Sequence, residues 1–179
     1  MKNFIRRLFG RFHVVTHSDV LSYKGSWRKG AFHGYGVLEY SNGGLYKGDF
    51  KSGVKHGFGV YTSASGFRYE GEWSDGEQTG SAKISYKNGD WYEGAVKNGV
   101  RCGLGELSEL SSQRIFKGHW ARGTPTGEVQ ITSKDWKFSG TFPDRNGRAS
   151  GGLAYSDGST YVGNITNFIR HGIGKFTSK

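Results

Sequence analysis

The sequence predicts an all-β protein: an elongated, twisted, single-layer antiparallel sheet of about 14 strands, made of seven tandem β-hairpins and preceded by a short N-terminal helix. Two observations behind this prediction are compositional. Among 179 residues there are 31 glycines, and aromatic residues make up 15% of the chain. Glycine-rich chains that stay disordered contain few aromatic residues, so this combination indicates an ordered fold with many turns. The third observation is a motif that recurs at a nearly constant spacing.

The first element, residues 1–22, is a basic amphipathic segment that we expect to be helical. On a helix, its apolar residues fall on one arc of about 140° and its basic residues on the other side. The apolar residues are Phe4, Ile5, Leu8, Phe9 and Phe12, and the basic residues are Lys2, Arg6, Arg7 and Arg11. Such a helix can cap the first hairpin or dock on a protein partner, lie in a membrane interface, or direct the chain to mitochondria. The sequence leaves these roles open.

The second element, residues 23–179, is a repeat domain of seven units whose starts are 22 to 24 residues apart. Each unit begins with Tyr or Phe, and its third residue is always glycine. The fifth residue is Trp, Phe, Val or Ile, and the sixteenth is apolar or aromatic. Positions are numbered below from the first residue of each unit, which is Tyr23, Tyr46, Tyr69, Tyr92, Phe116, Phe138 or Tyr161.

Each unit is expected to be one β-hairpin. Positions one, three and five alternate with polar residues, which is the period of a half-buried strand. Glycine turns such as "RKG" and "SDG" follow, then a second short strand, and another glycine turn closes the unit. A single-layer sheet has no conventional core, so we expect the large rings to lie along one face and to pack on the glycines.

These units resemble the MORN repeat, whose pattern is close to Y-x-G-x-W/F-x-x-G-x-x-H-G-x-G followed by a short strand and a glycine turn. The segments "YKGSWRKGAFHGYG" and "YKGDFKSGVKHGFG" match nearly throughout, and the units that begin at Tyr92, Phe116 and Phe138 are degenerate. The resemblance implies a non-catalytic adaptor or scaffold at membranes, cytoskeletal structures or ciliary axonemes. It also implies that phosphoinositide binding and dimerisation are open to this chain, since some members of the family do one or the other.

The residues that look chemical are better explained by the repeat. His33 and His56 occupy equivalent positions in neighbouring hairpins, roughly 10 Å apart, which is too far for them to share a zinc ion. "HGYG" precedes a β pattern rather than the helix that a phosphate-binding loop needs. Cys102 is the only cysteine and lies at the repeat position of the histidines. We therefore expect no catalytic site, no metal and no cofactor.

The net charge of +10 indicates an acidic partner, which could be anionic lipid, an acidic protein surface or nucleic acid. Nucleic acid is disfavoured, because the rings are needed to stabilise the sheet and the basic residues are interspersed with acids. Anionic lipid stays open, through the N-terminal segment and the basic residues of the C-terminal half: Arg101, Arg114, Lys117, Arg122, Arg145 and Arg148. No apolar run approaches the roughly 20 residues of a membrane-spanning helix.

The leading hypothesis is a scaffold that presents an extended surface to other proteins of a larger assembly, in the cytoplasm, the cytoskeleton or a cilium. A membrane-associated or mitochondrial protein is the alternative. A second copy of the chain is a further candidate partner, by pairing with the C-terminal edge strand. The interface residues that we expect are Trp27, Phe50, Trp73 and Trp120 on the aromatic face, and Ile173 and Phe176 on that edge strand.

Overall fold

The computed structural model describes residues 19–179, so the predicted N-terminal helix lies outside the described residues. The described part contains fourteen β-strands. In chain order they are β1 Val20–Arg28, β2 Ala31–Tyr40, β3 Leu45–Lys51, β4 Val54–Thr62, β5 Arg68–Ser74, β6 Glu77–Ser85, β7 Trp91–Lys97, β8 Val100–Glu109, β9 Arg114–Ala121, β10 Thr124–Thr132, β11 Trp136–Thr141, β12 Arg148–Tyr155, β13 Thr160–Thr166 and β14 Ile169–Thr177.

The strands belong to one antiparallel sheet, in which their order is the order of the chain. The predicted all-β class is therefore confirmed for residues 19–179. By its internal contacts the chain divides into two compact parts, each of which contains several of the repeats. These two parts are called unit 1 and unit 2 and are distinct from the seven repeat units of the sequence. Within the described residues, unit 1 comprises residues 19–87 and 96–99, and unit 2 comprises residues 88–95 and 100–179.

Many of the glycines are accounted for by the turns that join the two strands of each hairpin. A two-residue turn whose backbone matches the twist of the flanking strands needs φ > 0 at both central residues, and glycine meets this requirement at no steric cost. In the first hairpin these residues are Lys29 and Gly30, with φ of 50° and 77°. The same pair of a non-glycine residue and a glycine recurs at Ser52–Gly53, Asp75–Gly76, Asn98–Gly99 and Arg122–Gly123.

A second group of glycines lies under the tyrosine rings, as the sequence predicts. A Cβ atom built on Gly59 would approach Cε2 of Tyr46 to 2.6 Å, so no larger residue fits there without displacing the ring. The Tyr46 hydroxyl donates a hydrogen bond to the carbonyl oxygen of Asp49 at 3.0 Å. The first-position tyrosines of four other units donate to the equivalent carbonyl, in Ser26, Glu72, Ala95 and Asn164. In each of these repeats, the hydrogen bond joins the tyrosine hydroxyl to the backbone three residues later on the chain.

A register shift in the hairpins puts position ten on the same face as the rings. In unit 1, β3 and β4 pair Gly48 with Gly59, and then Phe50 with Lys55, so three residues of β4 face one residue of β3. Such a bulge re-aims the side chains that follow it. The face that carries the tyrosines therefore also receives the tenth residue of the unit.

Candidate interaction surfaces

Three of the predicted interface residues lie in the interior of the structure. Phe50, Trp73 and Trp120 are each at most 5% exposed. The Trp73 indole N–H donates to the carbonyl of Gly59 at 3.3 Å, and its ring meets Tyr69 and Tyr46 edge to face. In unit 2, Trp120 repeats this arrangement with the carbonyl of Gly105 at 3.0 Å and with Tyr92. These side chains hold neighbouring hairpins together, and their contact with a partner stays a prediction.

The other predicted interface residues lie towards the two ends of the described sheet. Trp27 is half-buried on β1 and meets the ring of Tyr23 edge to face. Every residue of β14 is exposed. Ile173 is 87% exposed and Phe176 is 48% exposed. The C-terminal edge strand that the sequence singles out therefore offers free apolar surface, while the aromatic face offers little.

An apolar row on the opposite face was missed by the sequence reasoning. Tyr35 and Phe58, at position thirteen of the first two units, are 63% and 54% exposed. Val37 and Val60 follow two residues later on the same strands and are half-buried. We call these four residues of unit 1 the outward patch. The signal was available, because position thirteen is apolar or aromatic in these two units and alternates with the glycines at twelve and fourteen.

Position thirteen is also apolar in two places in unit 2. Leu104 occupies it in the fourth repeat and Ile173 in the seventh repeat, and both side chains are exposed. Leu104 lines a shallow depression together with Trp91, Glu93, Glu106 and Lys117. Exposed apolar side chains that lie together mark sites where proteins meet other molecules.

The side chain of Lys55 is surrounded by aromatic rings of unit 1. Its Nζ atom lies 4.5 Å from the ring centroid of Trp73 and 5.0 to 5.3 Å from those of Tyr40, Tyr46 and Tyr61. Burial lowers the pKa of Lys55 to about 8, while the Glu77 carboxylate acts in the opposite direction. Ring faces attract a cation, so the four rings also favour the ammonium form. Burial raises the pKa of Tyr40 to about 12, and Tyr61 adds to that rise.

Unit 2 contains a cleft of about 400 Å³ with an aromatic lining. Its walls include Phe116, Trp120, Phe142 and Phe168, together with two prolines, Pro125 and Pro143. The Arg101 guanidinium lies 4.6 Å from the Trp120 ring centroid and donates to the carbonyl of Gly123 at 2.7 Å. The cleft therefore combines flat apolar walls with one guanidinium, that of Arg101, and two carboxylates, those of Glu109 and Asp144.

Two kinds of feature are absent from the described residues. Residues 19–179 contain no group of three His, Cys, Asp or Glu side chains that could hold a metal ion. The Nδ1 atom of His56 is buried without a hydrogen-bond partner, which fits a packed ring of the repeat. Nor do residues 19–179 contain a helix long and apolar enough to cross a membrane. The predicted docking helix, with Lys2, Phe4, Ile5, Arg6, Arg7, Leu8, Phe9, Arg11 and Phe12, lies outside the described residues.

Comparison with known proteins identifies the repeat. A family model described as the MORN repeat matches residues 23–45, 46–68, 69–91 and 92–108. These are the first four of the seven units read from the sequence, and the fourth is matched in part. The family model does not extend to the remaining three units. No curated protein matches the chain by sequence.

Two solved structures are similar to this chain. The first is the Drosophila melanogaster SAS-4 (dCPAP) TCP domain in complex with a proline-rich motif of Ana2 (dSTIL). It is 17% identical to this chain with a TM-score of 0.50, and the alignment covers 99% of this chain and 100% of that one. The second is the TCP10c domain of Drosophila melanogaster Sas-4, with 17% identity and a TM-score of 0.45, over 82% of this chain and 93% of that one. At 17% identity, the similarity to the first structure shows a shared fold and carries no conclusion about function.

Proposed function

Because this chain is a MORN-repeat protein, with repeats matched over residues 23–108, we propose that it is a non-enzymatic scaffold that binds other proteins through exposed side chains of its sheet. The outward patch is the observation that carries the proposal. Tyr35 and Phe58 are more than half exposed, although nothing in the hairpin requires an aromatic ring at position thirteen, where the third unit has Ser81.

The outward patch is held in a fixed geometry. Tyr35 lies opposite Asp49 on β3, and Phe58 lies opposite Glu72 on β5. The Asp49 carboxylate accepts a hydrogen bond from the backbone N–H of Phe58 at 3.2 Å. With one strand between them, the two rings are roughly 10 Å apart. Lys47 is exposed and lies opposite both Val37 and Val60, so the patch carries both signs of charge. Rings at this spacing beside charged side chains favour a partner segment that alternates apolar and charged side chains.

A second docking surface is the aromatic cleft of unit 2. Proline-rich segments bind in grooves lined by aromatic rings, because their extended conformation costs little entropy to order. The SAS-4 TCP domain, which shares this fold, was solved with a proline-rich motif bound. This supports a proline-rich partner for the present chain and, with the family resemblance, a place in a cytoskeletal or ciliary assembly. A saturable change in tryptophan fluorescence on adding a proline-rich peptide, lost in Phe142→Ser, is the expected result.

Proximity labelling with the full-length chain tests the scaffold proposal. The double variant Tyr35→Lys, Phe58→Lys is expected to lose partners that the parent labels, with an unchanged circular dichroism spectrum. The matched control is Val54→Lys with Val100→Lys, which places the same charges on exposed valines outside the outward patch. If the double variant keeps every partner, the patch is not the docking surface. If the parent protein labels no partner, the scaffold function is wrong.

Binding to anionic lipid is the competing function, and the net charge of +10 supports it. Sedimentation with phosphoinositide-containing vesicles separates the two proposals. A membrane module binds them in a salt-sensitive way and loses that binding when Arg6, Arg7 and Arg11 are replaced by Glu. A protein scaffold leaves the vesicles in suspension and keeps its protein partners in the same variant.

A further inference from the structure

In three repeats, the tenth residue lies over the ring of the first residue. The pairs are Phe32 on Tyr23, Lys55 on Tyr46, and Arg101 on Tyr92. In the first of these pairs the two rings are stacked, with 3.9 Å between their centroids. The tenth position therefore accepts an apolar occupant as well as a cation.

In the second repeat, four rings that are fixed by other contacts surround the side chain of Lys55. We call Tyr40, Tyr46, Tyr61 and Trp73 the ring cage. The rings of Tyr40 and Tyr61 meet edge to face at 6.1 Å. Those of Tyr46 and Trp73 do so at 5.3 Å, and the Tyr46 hydroxyl and the Trp73 indole N–H are also bonded to backbone carbonyls. The cage therefore keeps its shape independently of the cation.

The ammonium of Lys55 is held by ring faces and not by hydrogen bonds. Arg101, the equivalent residue of the fourth repeat, donates to the carbonyl of Gly123 in the next turn at 2.7 Å. The corresponding glycine after Lys55 is Gly76, yet within residues 19–179 the Lys55 ammonium forms neither a hydrogen bond nor an ion pair. Glu77 favours its charged form from beyond ion-pair distance. An ammonium has three N–H donors, and a donor without an acceptor costs free energy when it leaves water, so the cage suits a cation with fewer N–H groups.

The distances in the ring cage leave room for methyl groups. A methyl carbon on the Lys55 nitrogen would lie about 1.5 Å from that nitrogen, and carbon atoms pack at about 3.5 to 4.0 Å. A ring face that contacts such a methyl group is therefore about 5.0 to 5.5 Å from the nitrogen. The three tyrosine centroids lie 5.0 to 5.3 Å from Nζ, and that of Trp73 lies at 4.5 Å. Three faces of the cage thus have the spacing of a methylated ammonium, and Trp73 closes a fourth side.

We propose that Lys55 is methylated on Nζ and that the ring cage holds the methylated ammonium. Methylation keeps the positive charge that the rings attract, and it replaces N–H groups with methyl groups that pack on the rings. Aromatic cages recognise methyl-lysine in the same way when it belongs to another chain. The inference goes beyond the proposed function, since it does not depend on which partner the outward patch binds.

The reaction is a methyl transfer from a sulfonium donor, carried out by a separate methyltransferase. The neutral amine attacks the methyl carbon, and the C–S bond breaks as the N–C bond forms. The electron pair of the broken bond stays on sulfur, which becomes a thioether, and a proton leaves the nitrogen for solvent. Burial lowers the pKa of Lys55 to about 8, so its amine is more often neutral near pH 7 than that of an exposed lysine. Lys55 is half-buried and follows the exposed turn residues Ser52 and Gly53, where an enzyme can reach it.

Peptide mapping of the full-length protein, isolated from the cells that produce it, tests the proposal directly. Cleavage after glutamate yields one peptide, residues 40–70, whose lysines are Lys47, Lys51 and Lys55. We expect mass increments of one to three methyl groups on Lys55 and none on the other two lysines, which are exposed. Unmodified or acylated Lys55 overturns the proposal. Equal methylation of all three lysines does so too, because exposure and not the ring cage would then select the residue.

Chemical analogues of lysine test whether the ring cage prefers the methylated form. In a Cys102→Ser background, Lys55→Cys is alkylated in the unfolded state, either with bromoethylamine or with bromoethyl-trimethylammonium. The two products have the same length and charge and differ only in the methyl groups on nitrogen. We expect the trimethylated product to refold with the higher midpoint of urea unfolding at pH 7. The same two reagents on Lys51→Cys, an exposed position of the same hairpin, are the control and should give equal midpoints.

The comparison of midpoints has two outcomes that overturn the proposal. A trimethylated product at position 55 that is no more stable than its unmethylated counterpart would mean that the cage lacks room for the methyl groups. An equal gain in stability at positions 55 and 51 would mean that the rings are not its cause. If neither product at position 55 refolds, the peptide map alone decides.

Discussion

Two adjacent glycines of β12 have different surroundings. A Cβ atom on Gly151 would lie 2.8 Å from the Cα of Gly140 and 2.9 Å from the ring of Phe138. The nearest atoms to a Cβ on Gly152 would be 3.9 Å away, which is ordinary contact. Gly151→Ala is therefore expected to lower the free energy of unfolding by about 2 kcal/mol through overpacking. Gly152→Ala is expected to leave it unchanged within about 0.5 kcal/mol. Urea unfolding measures both, and equal effects would show that the ring does not rest on Gly151.

The caged side chain of Lys55 gives a prediction about pH. Its pKa is about 8 in the folded protein, against about 10.4 in an unfolded chain. Between these values the unfolded chain binds the extra proton, so raising the pH favours the folded state. Lys55→Met keeps the bulk and removes the titration. From about pH 8 to about pH 9.5, the parent should gain stability relative to this variant by at most about 1.4 kcal/mol per pH unit.

Denaturant unfolding at several pH values measures this difference. The tyrosines with raised pKa values are present in both proteins, so their opposite effect at higher pH cancels. A parent that gains nothing over Lys55→Met would mean that the four ring faces stabilise the ammonium enough to offset its burial.

At the scale of one element, the last hairpin departs from the turn rule. Its second turn residue is Phe168, with φ of 62°, where five other hairpins have glycine. A bulky residue in this conformation is strained by about 1 to 3 kcal/mol. The ring also stacks on Trp136 at 5.5 Å and meets Phe138 edge to face at 5.7 Å, and the Arg114 guanidinium lies 5.4 Å from its centroid. The aromatic contacts therefore hold the residue in a conformation that its own backbone disfavours.

Substitutions at Phe168 separate these two contributions. Phe168→Gly removes the ring and relieves the strain, whereas Phe168→Ala removes the ring and keeps most of the strain. Both should destabilise the protein, and the alanine variant should be worse by about 1 kcal/mol. Thermal and urea unfolding give the order. Equal stabilities would show that φ at this position relaxes in the absence of the ring.

The hairpins could be predicted from sequence because their signals are local. The spacing of glycine turns and the alternation at positions one to five fix strand, turn and face within one unit, and the structure confirms this over residues 19–179. The cage around Lys55 could not be predicted, since the bulge between Gly48 and Phe50 moves position ten onto the ring face. The burial of Trp73 also escaped prediction, because the Tyr46 ring that covers it belongs to the preceding hairpin.

At the scale of the whole molecule, the sequence indicated the repeat but gave no ranking of its surfaces. Every hairpin has the same two faces, and only tertiary contacts decide which side chains remain exposed. The tyrosine face looked available from the pattern, yet its large side chains cover one another. The outward patch depends on two residues, Tyr35 and Phe58, that break no repeat rule. A scaffold surface of this kind is recognised by exposure, and exposure is a property of the assembled sheet.

The repeat also predicts which deletions the fold tolerates. Removing residues 46–68 deletes the whole second repeat and joins Leu45 to Tyr69. The new junction places Leu38 opposite Tyr69, Gly36 opposite Gly71 and Gly34 opposite Trp73, which keeps the apolar and glycine pattern of the parent junction. Each hairpin depends mainly on its neighbours, so the variant should fold with cooperative unfolding and an unchanged strand signal per residue.

The control deletion removes one residue more, 46–69, and puts Glu70 in the first position of the unit. Because side chains alternate between faces, this shift of one residue turns the ring face of β5 outward and its carboxylates inward. Circular dichroism and tryptophan fluorescence during urea unfolding compare the two. We expect a cooperative transition for the 46–68 deletion and a broad or absent one for the 46–69 deletion. Similar transitions in both variants would mean that the sheet tolerates a one-residue shift that inverts the two faces of β5.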